Sequence, residues 1–174
     1  MKLKTKIILM MGALSVAACT NAGKLGGGNG DGVFGLNASG NSGMIAGSAS
    51  DPASNAYFQQ AVGDRVMFEV DQSSLTAVGR ATLDGQATWL LTNADYTAII
   101  EGHADEQGTR EYNIALGNRR ADAARSYLVS KGVPSSRMQI VSYGKERPIE
   151  ICSEEACYAK NRRAVTVLAG GLTG

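Results

Sequence analysis

The sequence predicts an α/β domain: a four-stranded mixed sheet with helices layered on it, in the order βαβαβ(α)β. Three observations lead there. Short β-rich runs alternate with stretches of helical period between about Tyr57 and Ala169, the helices carry cap and stop residues at their ends, and the span is the size of one hydrophobic core. Val66, Phe68 and Val70 share one face of a first strand, which Asp71 closes before the loop residues Gln72, Ser73 and Ser74. Thr76 is placed to cap a helix running to about Leu91, with Leu83, Ala87, Leu90 and Leu91 facing inward and Asn93 as its stop. Tyr96 to Glu101 makes the second strand. A long amphipathic helix follows from Arg110 to Lys131, with Tyr112, Leu116, Ala123 and Tyr127 on its inward stripe. Gly132 supplies a left-handed cap and Pro134 forbids continuation. Met138 to Tyr143 reads as the third strand, Glu154 to Asn161 as a short helix and Ala164 to Leu168 as the last strand.

The N-terminal part reads differently. Met1 to Lys6 carries three lysines, Ile7 to Val16 is mostly apolar but too short to span a bilayer, and Val16-Ala17-Ala18-Cys19 resembles a bacterial lipobox. The expected division is therefore a signal peptide over 1–18, a lipidated Cys19 opening a flexible linker over 19–56, and a domain over 57–174. Thr20 to Pro52 holds ten of the 22 glycines, and about thirty such residues reach roughly 30 Å as a flexible coil. Removing Lys2, Lys4 and Lys6 from the 17 basic residues leaves 14 against 16 acidic ones, so the mature chain lacks the basic footprint of a nucleic-acid binder. Cys152 and Cys157 then face an oxidising compartment and are expected to pair, since they lack the two-residue spacing of a redox motif.

The chemistry concentrates in the loop after the second strand and on the helix that follows. Arg120 falls on the inward stripe of that helix, and a buried guanidinium requires compensation. Two readings stand side by side: Asp105 neutralises Arg120 in an internal salt bridge, or the two flank a pocket that receives a ligand of both charges, such as the +NH3–CH–COO− centre of an amino acid. On the second reading, substituting either by alanine removes binding and leaves the fold intact. His103, the lone histidine, reads as a structural residue of the turn, because Glu101 and Asp105 lack metal-ligand spacing around it. Neither a G-x-S-x-G elbow nor a phosphate-loop lysine occurs, so neither catalysis nor a cofactor is expected.

The runs Glu101-Gly102-His103-Ala104-Asp105-Glu106-Gln107-Gly108-Thr109-Arg110-Glu111-Tyr112-Asn113, Leu116-Gly117-Asn118-Arg119-Arg120-Ala121, Val141-Ser142-Tyr143-Gly144-Lys145-Glu146-Arg147-Pro148 and Asn161-Arg162-Arg163-Ala164-Val165 resemble the OmpA-like domain family, and within it the peptidoglycan-associated lipoproteins. The likeness holds in order and spacing from Val66 to Leu168. It implies a lipid-anchored protein of the outer membrane, Thr20 after Cys19 fitting that destination, with its domain in the periplasm. It further implies that Asp105 and Arg120 hold the amino and carboxylate ends of meso-diaminopimelate in peptidoglycan, that Asp71 and Asn113 lie around the ligand, and that Asn161 and Arg162 lie near it. TolB and TolA are the implied partners; a wall anchor of another envelope complex is the alternative. The cysteines at 152 and 157 and the long glycine-rich linker depart from the family's pattern.

Overall fold

The computed structural model describes residues 46–151 and 153–170. A single helical turn, α1 (Asn55–Tyr57), passes into a π-helical turn over Phe58–Gly63. Then follow β1 (Arg65–Met67), α2 (Ala77–Thr92), β2 (Tyr96–His103), α3 (Arg110–Ser130), a 3-10 turn (Ser135–Arg137), β3 (Met138–Gly144), α4 (Glu155–Asn161) and β4 (Arg163–Gly170). The sheet order is β1-β4-β2-β3, with β2 and β3 parallel and β4 antiparallel to both its neighbours. The expected mixed sheet and element order are thus found, and α3 is the crossover that parallel pairing of β2 and β3 demands.

Local chemistry explains the helix ends. The Thr76 side chain accepts from the Gly79 amide and the Thr109 side chain from the Tyr112 amide, each satisfying one donor that the first helical turn leaves over. Asn93 ends α2, its amide and side chain both donating to the Trp89 carbonyl. Val66, Ala98, Ile100, Ala164 and Leu168 from the sheet meet Leu83, Ala87 and Leu90 of α2 and Ala121, Ala124 and Leu128 of α3 in one core.

Four expectations need correction. Leu91 of the presumed α2 stripe is exposed, and Gln86 and Trp89 are buried instead. Each takes a polar partner: Gln86 bonds the Gly63 carbonyl and the Thr166 hydroxyl, and the Trp89 ring N–H reaches the Pro52 carbonyl. The buried stripe of α3 is rotated from the expected one and consists of Asn113, Leu116, Gly117, Arg120, Ala121, Ala124 and Leu128, leaving Tyr112 44% exposed. The cause is close packing. A Cβ on Gly102 of β2 would run into the Gly117 carbonyl oxygen of α3, so helix and strand touch backbone to backbone where both are glycine. The first strand stops at Met67, and Asp71 lies beyond it in a turn, with φ +56°. Finally, the stretch before Tyr57 is not all linker: Pro52 and Ala53 accept from Trp89 and Tyr96, next to the tilted ring contacts of Trp89 with Phe58 (centroids 4.9 Å apart) and with Tyr96 (5.0 Å).

Candidate functional site

Two segments meet at the carboxyl end of β2. One is the loop from Ala104 to Thr109, which carries Asp105 into the first turn of α3. The other is the turn Glu69-Val70-Asp71-Gln72, closed by a bond from the Gln72 amide to the Glu69 carbonyl. Between them lies a cavity of about 240 Å³ lined by Val70, Asp71, Asp105, Gln107, Gly108, Tyr112, Asn113 and Leu116. A larger cavity of about 490 Å³ sits between β1 and the start of α2, with a mostly apolar lining. Its cations Arg65, Lys160 and Arg162 are already paired with Asp64, Glu150 and Glu155 or Asp105. The smaller cavity, with two carboxylates in its wall, is the candidate site.

Arg120 and Asp105 are not ion-paired to each other. The Arg120 guanidinium, 0% exposed, donates to the carbonyls of Gln72 (2.7 Å), His103 (2.9 Å) and Glu69 (3.1 Å) and lies 5.3 Å from the Phe68 ring. It therefore fastens the Asp71 turn to the end of β2, directly before Asp105. Burial pushes its pKa down to about 10, while the carboxylates of Asp105 and Asp71 pull the other way, so it stays charged at neutral pH. Asp105 takes its ion pair from Arg162 (3.2 Å) and accepts the Gln107 amide (3.2 Å) through its other oxygen. Arg162 also bonds Glu155 and the Phe68 carbonyl. Burial works against the Arg162 charge, but Glu155 and Asp105 outweigh it and hold its pKa above the usual value. The same contact holds the Glu155 carboxyl below its ordinary range.

Of the residues singled out from the sequence, Asp71, Asp105 and Asn113 line the cavity together. Arg120 stands behind its wall. Asn161 is outside it and works as a clamp: its side chain accepts the amides of Ile149 and Glu150 and donates to the Glu106 carboxylate (2.7 Å) and the Glu150 carbonyl. Arg162 stands on the far side of Asp105. Cys157 in α4 is disulfide-bonded; Cys152 and Cys19 lie outside the described residues. Sequence reasoning missed Tyr112, whose hydroxyl donates to Asp71 and whose pKa that bond raises. Its place on the first turn of α3, beside Asn113, is the signal that could have found it. Among the described residues, no group of three His, Cys, Asp or Glu side chains is placed to hold a metal, and no helix is long and apolar enough to cross a membrane.

His103 ends β2 with its ring 1% exposed and neither ring nitrogen hydrogen-bonded. Glu101 comes within 3.5 Å without hydrogen-bond geometry. Burial, and then the nearby Arg163 and Arg147, push its pKa down to about 4 from an ordinary 6.5. Between those values the unfolded chain binds the extra proton, so this contribution to stability is complete above about pH 6.5 and lost as the pH falls through 4. Its size is about 3 kcal/mol. Urea unfolding at pH 7.5 and 4.5 is expected to show a smaller acid loss for His103→Phe than for the wild type; equal losses would remove His103 from the acid response.

Fold and cavity together define a single-sheet α/β domain with a charged site at the carboxyl end of its parallel strand pair. Residues 67–162 match the OmpA family. The peptidoglycan-associated lipoprotein of Rhizobium meliloti is 56% identical over 128 residues, which is 74% of this chain and 72% of that protein. The one from Mesorhizobium japonicum is 47% identical across 94% of this chain and 91% of its own. Among solved structures, the peptidoglycan-associated lipoprotein from Burkholderia pseudomallei superposes with a TM-score of 0.63 at 36% identity, covering 68% of this chain and all of that one. The chain belongs to the OmpA family, in its branch of peptidoglycan-associated lipoproteins.

Proposed function

We propose that the protein is an outer-membrane lipoprotein whose domain binds peptidoglycan without covalent chemistry and so ties the membrane to the cell wall. The lipid would sit on Cys19 after removal of residues 1–18, with the linker giving the domain its reach. The observation that carries the binding step is the cavity itself: two carboxylates, Asp71 and Asp105, in the wall of a space the size of a small polar group, with the Arg120 charge immediately behind. A diaminopimelate centre carries an ammonium and a carboxylate on one carbon. Its ammonium suits the Asp71 and Asp105 wall, and its carboxylate draws on the field of Arg120 and on the donors of the Gln107 and Asn113 wall. The names of the relatives support peptidoglycan as the source of that group. On the same reading TolB and TolA are its partners, in a Tol-Pal system.

The test is sedimentation with purified sacculi. Wild-type domain is expected to co-sediment and to be released by a muropeptide containing meso-diaminopimelate, but not by one with lysine at that position, which lacks the terminal carboxylate. Release by both muropeptides alike, or no sedimentation, would defeat the reading.

A further inference from the structure

We propose that Lys145 is a positioning residue for this cavity, holding the loop that forms one wall in its ligand-ready shape; the inference rests on the function proposed above. Three consecutive carbonyls of that loop are fastened by side chains. Asn113 donates to the Gln107 carbonyl at 2.7 Å, and the Lys145 ammonium donates to the Gly108 carbonyl at 2.7 Å and to the Glu106 carbonyl at 3.4 Å. Gln107 and Gly108 are cavity wall, whereas Lys145 is not. It acts on the ligand through them.

The backbone that presents Lys145 is itself fixed on both sides of the loop. Gly144 carries φ +51°, and a Cβ there would stand 2.8 Å from the Ile114 amide nitrogen, so β3 ends in backbone contact with α3 just after the loop. The Gly144 carbonyl accepts the Ala104 amide at 2.8 Å, at the first residue of the loop. Ser142 adds a hydroxyl bond to the Ile114 carbonyl at 2.7 Å. Lys145 is thus a strut from the end of β3 onto the Glu106 and Gly108 carbonyls of the loop.

Helix stability does not explain a cation there. Gly108 directly precedes the cap of α3, and positive charge beside a helix N-terminus is electrostatically disfavoured. Among the described residues no carboxylate is ion-paired with Lys145; the adjacent Glu146 pairs with Arg110 instead. The ammonium is spent on loop carbonyls. A loop ordered beforehand loses less freedom when the ligand arrives, and this raises affinity without any contact to the ligand.

The experiment compares wild type, Lys145→Met and Lys145→Arg. Each is titrated with the meso-diaminopimelate muropeptide by calorimetry, and hydrogen exchange of the amides from Glu106 to Thr109 is followed by NMR without ligand. Lys145→Met is expected to bind about tenfold more weakly, with faster exchange confined to the loop and an unchanged thermal midpoint. Lys145→Arg, which keeps donors for both carbonyls, is expected to recover affinity to within roughly threefold. Faster exchange with unchanged affinity would make Lys145 merely structural and overturn the proposal. Weaker binding with unchanged exchange would mean direct contact with the ligand, and would overturn it too. A wild type that fails to bind would sink the site reading instead; exchange alone would then decide, unchanged loop protection in Lys145→Met overturning the strut.

Discussion

Arg120→Ala is expected to cost the domain about 3–5 kcal/mol of stability. The guanidinium is fully buried and holds three backbone carbonyls, those of Glu69, Gln72 and His103. Alanine takes the donor from all three, the His103 carbonyl within the interior and those of Glu69 and Gln72 partly buried, and it removes the cation that faces Asp105 and Asp71. The wild-type side chain also bears a desolvation cost, visible in its lowered pKa, so its net contribution is smaller than the loss on truncation. Lysine is a poor substitute, because one ammonium lacks the planar fork that serves three acceptors spread around a guanidinium. Urea unfolding of wild type, Arg120→Ala and Arg120→Lys measures this, with both variants expected to be well below wild type. A loss under about 1 kcal/mol for alanine would mean that the three carbonyls find other partners. Lost sacculus binding by Arg120→Ala would on this account report lost stability as well as lost recognition.

Asp105→Asn is the cleaner probe of recognition, and it is expected to weaken muropeptide binding by about 2–5 kcal/mol, roughly thirtyfold or more. Asparagine keeps the shape and the oxygen that accepts the Gln107 amide. What it loses is the charge that faces the cavity. Arg162 loses its partner across 3.2 Å but retains Glu155 and the Phe68 carbonyl, so the accompanying loss of stability should stay near 2 kcal/mol or less. Calorimetric titration beside a urea melt separates the two effects. An asparagine variant that binds within threefold of wild type would place the ammonium of the ligand elsewhere, Asp71 being the next candidate.

The parts of the molecule written in local chemistry were legible from the chain. Thr76 and Asn93 act on backbone groups within four residues of themselves, so their type and place announce the ends of a helix before any fold is known. The alternation that built the strand and helix order is local in the same sense. The partner of Arg120 was not legible, because it is backbone: any residue offers a carbonyl, and those of residues 69, 72 and 103 reach Arg120 only through the tertiary fold. Arg137 repeats the lesson at the other end of the sheet, donating to the carbonyls of Leu90, Asn93 and Tyr96. Arg162 reaching back to Asp105 was hidden by 57 residues of separation. The orientation of α3 is hidden in the sequence because bulk does not mark its buried face. Gly117, Ala121 and Ala124 bury that face by letting the helix lie close, while Tyr112 and Tyr127 turn their hydroxyls to Asp71 and Asp84.

The last strand lies inside the sheet, with β1 on one side of it and β2 on the other. Until residues from Arg163 onward have been made, β1 has no neighbour to bond and the apolar face of α2 has nothing continuous to lie on. A chain cut before that point holds at most the β2-α3-β3 unit of the sheet. That one eight-residue strand lies between two others and places Ala164, Thr166 and Leu168 together in the interior. Shortening the chain by those residues should therefore abolish the fold outright rather than trim its edge.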